Sequence, residues 1–220
     1  AMFSMFYFLG IYIQNVLGYS ALKTGFAFLP FSFGIVVAAQ LASVLVARID
    51  PRWIAGAGSA IAAGGLFGFA QLTVDSHYVS GLLPFILLLS FGMGLIFVPL
   101  TLTAVSGVAD TDSGVGSAVL NTVQQIGGAV GLALLGTVST NAIKDKFAEL
   151  APGLAQAAQA SPDQAKQLQA QATAVATTHG FTTAFLVSAF MFAGAALITL
   201  IGLSVKHKDL ANDGKPVHVG

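Results

Sequence analysis

The chain has 220 residues, of which 55% are hydrophobic and only 8% charged, with a mean hydropathy of +0.83, against about 25% charged in soluble domains. Nine basic residues balance nine acidic ones, so no electrostatic footprint for nucleic acid is present. There is no cysteine, which excludes disulfides and thiolate chemistry.

The charges avoid the apolar stretches. Residues 24–47, 53–74, 79–109, 113–143 and 180–205 contain no Asp, Glu, Lys or Arg, and each exceeds the ~20 residues a helix needs to cross a bilayer. A charge at mid-membrane costs about 2.5–3.5 kcal/mol even on lenient insertion scales. The pattern predicts an all-α membrane protein, a bundle of six helices near 1–17, 24–47, 53–74, 81–108, 113–140 and 181–205.

The first segment is apolar from Met2 and is expected to be the far end of a truncated helix. It lacks the basic start of a signal peptide. Gly18-Tyr19-Ser20 reads as a turn. Segment two has Pro30 near its start, where the missing N–H matters least. Arg48-Ile49-Asp50-Pro51-Arg52 is a short charged loop before segment three, and Asp75-Ser76-His77-Tyr78 follows it. Segment four contains Pro99, an expected kink. Asp110-Thr111-Asp112-Ser113 leads into segment five.

Residues 141–178 differ in texture, rich in Ala and Gln with Pro152 and Pro162 as breakers. Ile143, Phe147, Leu150 and Leu154 recur at helical spacing. Two readings stand: an amphipathic helix lying on the membrane surface, or a solvated loop. Segment six is followed by a polar tail, 207–220. Arg48 and Arg52 fall on the same side as Lys206, Lys208 and Lys215, and the positive-inside rule makes that side the cytoplasm of a cell membrane. Lys23, Asp75 and the 141–178 stretch then face outward.

Small residues repeat at helical spacing. Gly56, Ala60, Gly64 and Gly68 mark segment three, Gly92 and Gly94 segment four, and Gly127, Gly128 and Gly131 segment five. Such positions allow close helix packing in lipid. On segments four and five they equally suit a sliding interface. Amides are rarer in lipid and need a partner or a cavity. Gln14, Gln40, Thr101, Asn121 and Gln125 are the candidates for a substrate pathway, with hydrogen bonding between helices as the alternative. Seventeen Phe accompany a single Trp, and some rings would serve flat apolar or cationic compounds. The four His lie in loops, at a helix edge or in the tail. No cluster has metal-ligand spacing and no nucleophile–base set converges, so neither an enzyme nor a cofactor is expected.

Tyr12-Ile13-Gln14-Asn15-Val16-Leu17-Gly18-Tyr19-Ser20 with Gly25 and Leu29-Pro30, then Gly94-Leu95-Ile96-Phe97-Val98-Pro99-Leu100-Thr101, then Gly114–Gly131 around Asn121-Thr122 and Gly127-Gly128-Ala129, resemble the major facilitator superfamily. The likeness is to its fourteen-helix drug:proton antiporter branch and covers nearly the whole chain. It implies the C-terminal six-helix half of a transporter whose N-terminal half is missing here. It also implies alternating access, export of small amphipathic compounds and exchange against protons. Arg48, Asp50 and Arg52 would then be a degenerate copy of the family's gating loop. Gln124 stands where members often carry a basic residue. A non-transporting membrane scaffold and a uniporter of the same superfamily remain the alternative readings.

Overall fold

The computed structural model describes residues 1–105, 112–160 and 162–203. It is built of α-helices: α1 (Met2–Asn15), α2 (Ala21–Ala27), α3 (Leu29–Val46), α4 (Pro51–Phe69), α5 (Leu83–Val105), α6 (Ser113–Ala160) and α7 (Pro162–Gly202), with a π-helical turn at Tyr78–Leu82 leading into α5. They correspond to the six apolar segments, because α2 and α3 together form the second one. By length and composition, four stretches suffice to cross a bilayer: Ala21–Val46, Tyr78–Ala104, Ser113–Gln156 and Gln164–Gly202.

Local chemistry sets the helix ends. Gly18 takes φ +69°, the left-handed region open to a residue without Cβ. Two residues on, Ser20 caps α2 by accepting a hydrogen bond from the Lys23 backbone N–H at 3.3 Å. Pro51 is buried at the first position of α4, where no N–H is needed. Pro99 lies inside a continuous α5, and the Thr103 hydroxyl donates to its carbonyl oxygen at 2.7 Å.

The main packing partners follow the order α3–α5–α4–α7–α6, and α1 touches both α6 and α7. Met5, Phe8, Leu9, Tyr12 and Ile13 of α1 join one core with Leu66 and Phe69 of α4, Ile86 and Leu89 of α5, and Phe181 and Phe185 of α7. Rings link these helices: Phe8 stands 5.3 Å from Phe181, Phe185 5.5 Å from Phe69, and Phe69 6.1 Å from Phe85. A second cluster, Ala38, Ala42, Val46, Ile54 and Leu95, joins α3, α4 and α5 at the other end.

The backbones of α4 and α5 come closest where both lack side chains. A Cβ on Gly92 would sit 2.6 Å from the Gly58 carbonyl oxygen, and one on Gly65 would sit 2.9 Å from the Leu89 backbone nitrogen. Gly94 meets α3 in the same way, 2.6 Å from the Ile35 carbonyl oxygen.

Residues 141–178 differ from both expectations. The helix of segment five does not end near 140 but runs through Pro152 to Ala160, and α7 starts at Pro162 rather than at 181. A helix of 48 residues is about 72 Å long, more than twice the ~30 Å hydrocarbon core. The stripe Ile143, Phe147, Leu150 and Leu154 is half-buried. Leu150 and Leu154 share a small apolar space with Leu168, Ala172 and Val175 of α7. The amphipathic face thus lies partly against a neighbouring helix. Asp110 and the tail 207–220, with Lys206, lie outside the described residues.

Candidate functional site

The long helix α6 is two-faced in its first five turns. Val115, Val119, Val123, Ile126, Val130 and Leu134 are all exposed and fall at spacings of three and four, so they form one aliphatic stripe. Opposite them lie Ser117, Asn121, Gln125 and Gly128. The phase of this second face can be followed into the bundle. Further along the helix Gly131, Leu135 and Ser139 are buried, and stepping back by three and four leads to Gly128, Gln124, Asn121 and Ser117. Gly128 is the point where this face meets α1, since a Cβ there would lie 3.0 Å from the Phe3 ring. Asn121 and Gln124 therefore fall in line with the bundle-facing residues, Gln125 lies to one side of that line, and the branched aliphatics face away from it.

On α1 the exposed residues Phe3, Tyr7 and Gln14, with Gly10 between them, share the face that carries Phe3. Gln14 stands at the last turn of α1. Gln40 lies mid-way along α3 on the side away from its packing residues Gly34, Ala38 and Ala42, among exposed Phe33, Val36, Val37 and Val44. Thr101 lies one turn past exposed Phe97 on α5. All five pathway candidates, Gln14, Gln40, Thr101, Asn121 and Gln125, are exposed. They sit on four helices, and no hydrogen bond joins them among the described residues.

In the charged loop Arg48 is exposed, and Asp50 and Arg52 are half-buried. The Arg52 guanidinium lies 5.2 Å from the Trp53 ring centre, within cation–π reach. Among the glycines, Gly68 is filled by Phe85 of α5, Gly64 has Leu88 at 3.6 Å, and Gly131 approaches only the Ala1 backbone nitrogen at 3.8 Å. Gly127 has nothing within 4 Å, so its lack of a side chain serves no contact in this bundle.

Three contacts escape a reading of spacing alone. Gly180 of α7 brings a Cβ position to 2.7 Å from the Ser139 carbonyl oxygen of α6. The buried Tyr12 donates its hydroxyl to the Thr73 carbonyl oxygen at 2.6 Å, and Tyr78 does the same to Ala27 at 2.7 Å. These tyrosines tie the 70–78 connection to α1 and α2. An aromatic residue at the end of an apolar helix is the signal that marks such a tie. No group of His, Cys, Asp or Glu that could hold a metal occurs among the described residues.

The family model of the Major Facilitator Superfamily matches residues 1–132. The chain belongs to the major facilitator superfamily. Puromycin resistance protein pur8 of Streptomyces alboniger is 35% identical over 203 residues, 91% of this chain and 36% of that protein. Cephamycin export protein CmcT of Amycolatopsis lactamdurans is 40% identical over 148 residues, 67% of this chain and 30% of that protein. The tetracenomycin C resistance and export protein of Streptomyces glaucescens is 29% identical over 141 residues, 64% of this chain and 26% of that protein. The chain thus spans about a third of the length of the curated relatives it matches. As a superfamily member it is a multi-pass membrane protein, and the amide face of α6 and the exposed face of α1 are surfaces of a transporter fold.

Proposed function

We propose that this chain is the C-terminal six-helix half of a fourteen-helix drug exporter in the cell membrane, and that it lines the substrate path with Gln14, Gln40, Thr101, Asn121 and Gln125. The observation that carries the reading is the phase of α6. Asn121 and Gln124 continue the face that is buried further along the helix, with Gln125 at its edge, while aliphatic residues, mostly β-branched, occupy the other side. A helix surrounded by lipid gains nothing from amides, whereas one bordering a cavity between two rocking bundles can use them for a substrate. The relatives named for puromycin resistance, cephamycin export, and tetracenomycin C resistance and export support small amphipathic molecules as cargo.

Protons are the proposed counter-substrate, with the loop Arg48, Asp50 and Arg52 and the C-terminus on the cytoplasmic side. Gly94, Gly128 and Gly131 are the proposed packing positions along which the helices shift. In the full-length transporter, Asn121→Leu lowers dye efflux by about tenfold, equivalent to about 1.4 kcal/mol, with membrane abundance unchanged. Unaltered efflux in that variant removes Asn121 from the path.

A further inference from the structure

One cavity of the bundle lies away from the amide faces. It is a groove of about 580 Å³ between α4 and α7, lined by Trp53, Ala57, Ala60 and Ala63 on one side and Ala193, Ala196 and Leu197 on the other. Leu200 forms its floor by packing against Gly56. Its lining holds no charged side chain. From Trp53 to Ala63 it runs for about 15 Å, half of the ~30 Å hydrocarbon thickness. One turn further on the same faces both helices exchange small residues for exposed phenylalanines, Phe67 and Phe190. The groove is therefore about as long as one leaflet is deep, and Phe67 and Phe190 lie beyond its Ala63 end.

Its open end is basic. Trp53 is 56% exposed and carries the Arg52 guanidinium above its ring. The Arg52 Nε is buried and has no hydrogen-bond partner among the described residues. Arg48 is exposed in the short connection between α3 and α4, and neither arginine makes an ion pair with a described residue. Asp50, which stands between them, already has a partner.

We propose that this groove is a binding site for an anionic phospholipid, with one acyl chain between α4 and α7 and the phosphate on Arg52 and Arg48. A basic mouth beside an apolar inter-helix slot at the level of the headgroups is the chemistry that selects such lipids. A spanning helix from elsewhere would need a groove of full membrane depth, and this one is lined for only about half of it. The assignment needs only that the bundle spans a membrane, so it stands apart from the cargo and the coupling ion.

The test uses the purified full-length protein with photoactivatable phosphatidylglycerol or phosphatidylcholine carrying the reactive group on an acyl chain, followed by peptide mapping. Label is expected on the peptides covering 53–63 and 193–200, with phosphatidylglycerol preferred. Arg48→Gln and Arg52→Gln each reduce that preference by about fivefold, the equivalent of about 1 kcal/mol per basic residue at an anionic surface. Ala60→Phe fills the groove and abolishes labelling by both lipids, and Ala196→Leu provides the same test should Ala60→Phe fail to fold. Equal labelling by the two lipids in the unaltered protein, or labelling that survives a folded groove-filling variant, overturns the proposal. So does a cysteine at Ala60 that cross-links to another helix of the chain or to a second copy, because the groove then holds protein.

Discussion

At Gly92 the space left for a methyl group is nil. A Cβ there lies 2.6 Å from the Ala62 backbone nitrogen and the Gly58 carbonyl oxygen, so neither neighbour can yield without moving α4. Gly92→Ala is expected to lower stability by about 1–3 kcal/mol, the usual effect of overpacking, read as a lower unfolding temperature of the detergent-solubilised protein. Gly127→Ala is its control. With nothing within 4 Å of that position, the substitution keeps stability or raises it, since alanine favours a helix by up to about 1 kcal/mol over glycine. The contrast explains why the small-residue pattern was only half legible. A series at every fourth residue drifts by about 40° per step around the helix, so Gly56, Ala60, Gly64 and Gly68 do not face one neighbour. Gly56 meets Leu200 of α7, whereas Gly68 meets Phe85 of α5. The close approaches of one backbone to the other fall between them, at Gly58 and Gly65, which that series skips.

At the scale of the helices, a polar–apolar pattern names a buried face without naming what buries it. The six apolar segments were therefore readable from charge placement alone, and the fate of 141–178 was not. Ile143, Phe147, Leu150 and Leu154 suit a membrane surface as well as a partner helix, and only the return of α7 alongside α6 decides between them. The split of segment two into α2 and α3 is equally silent, because Ala27 and Phe28 are apolar on both sides of the break. Spin labels placed one at a time along 141–156 of the full-length protein test the hairpin. Mobility is expected to vary with the 3.6-residue period of a helix and to be lowest at Ile143, Phe147, Leu150 and Leu154. A flat profile of high mobility contradicts a packed hairpin. Tyr12→Phe probes the other end of α1. It removes the 2.6 Å hydrogen bond to Thr73 and keeps the buried ring, so the expected loss is about 0.5–1.5 kcal/mol, seen as a lower unfolding temperature.

The molecule as a whole combines an extensive aromatic and aliphatic core with polar positions that all stay uncharged inside the apolar segments. Its nine acidic residues all lie outside those segments, among them Asp50 at the start of α4, exposed Asp75 in the 70–78 connection, Asp112 before α6, and Asp145 and Glu149 where α6 leaves the apolar stretch. Glu149 pairs with Lys146 at 2.8 Å on an exposed surface, an arrangement worth little energy. A transporter that exchanges cargo for protons needs a group that titrates in the path, and amides and hydroxyls do not titrate. On the proton exchange proposed above, this bundle holds and moves the cargo, and the proton is carried on a carboxylate outside it. That division makes a prediction about the full-length protein. Asp75→Asn, Asp112→Asn and Glu149→Gln should each leave efflux dependent on an imposed pH gradient, with the same slope as the unaltered protein. Asn121→Leu, by contrast, should lower efflux at every gradient and leave the slope in proportion. Loss of gradient dependence in any of the three acidic variants places the titrating group in this bundle and reverses the assignment of roles.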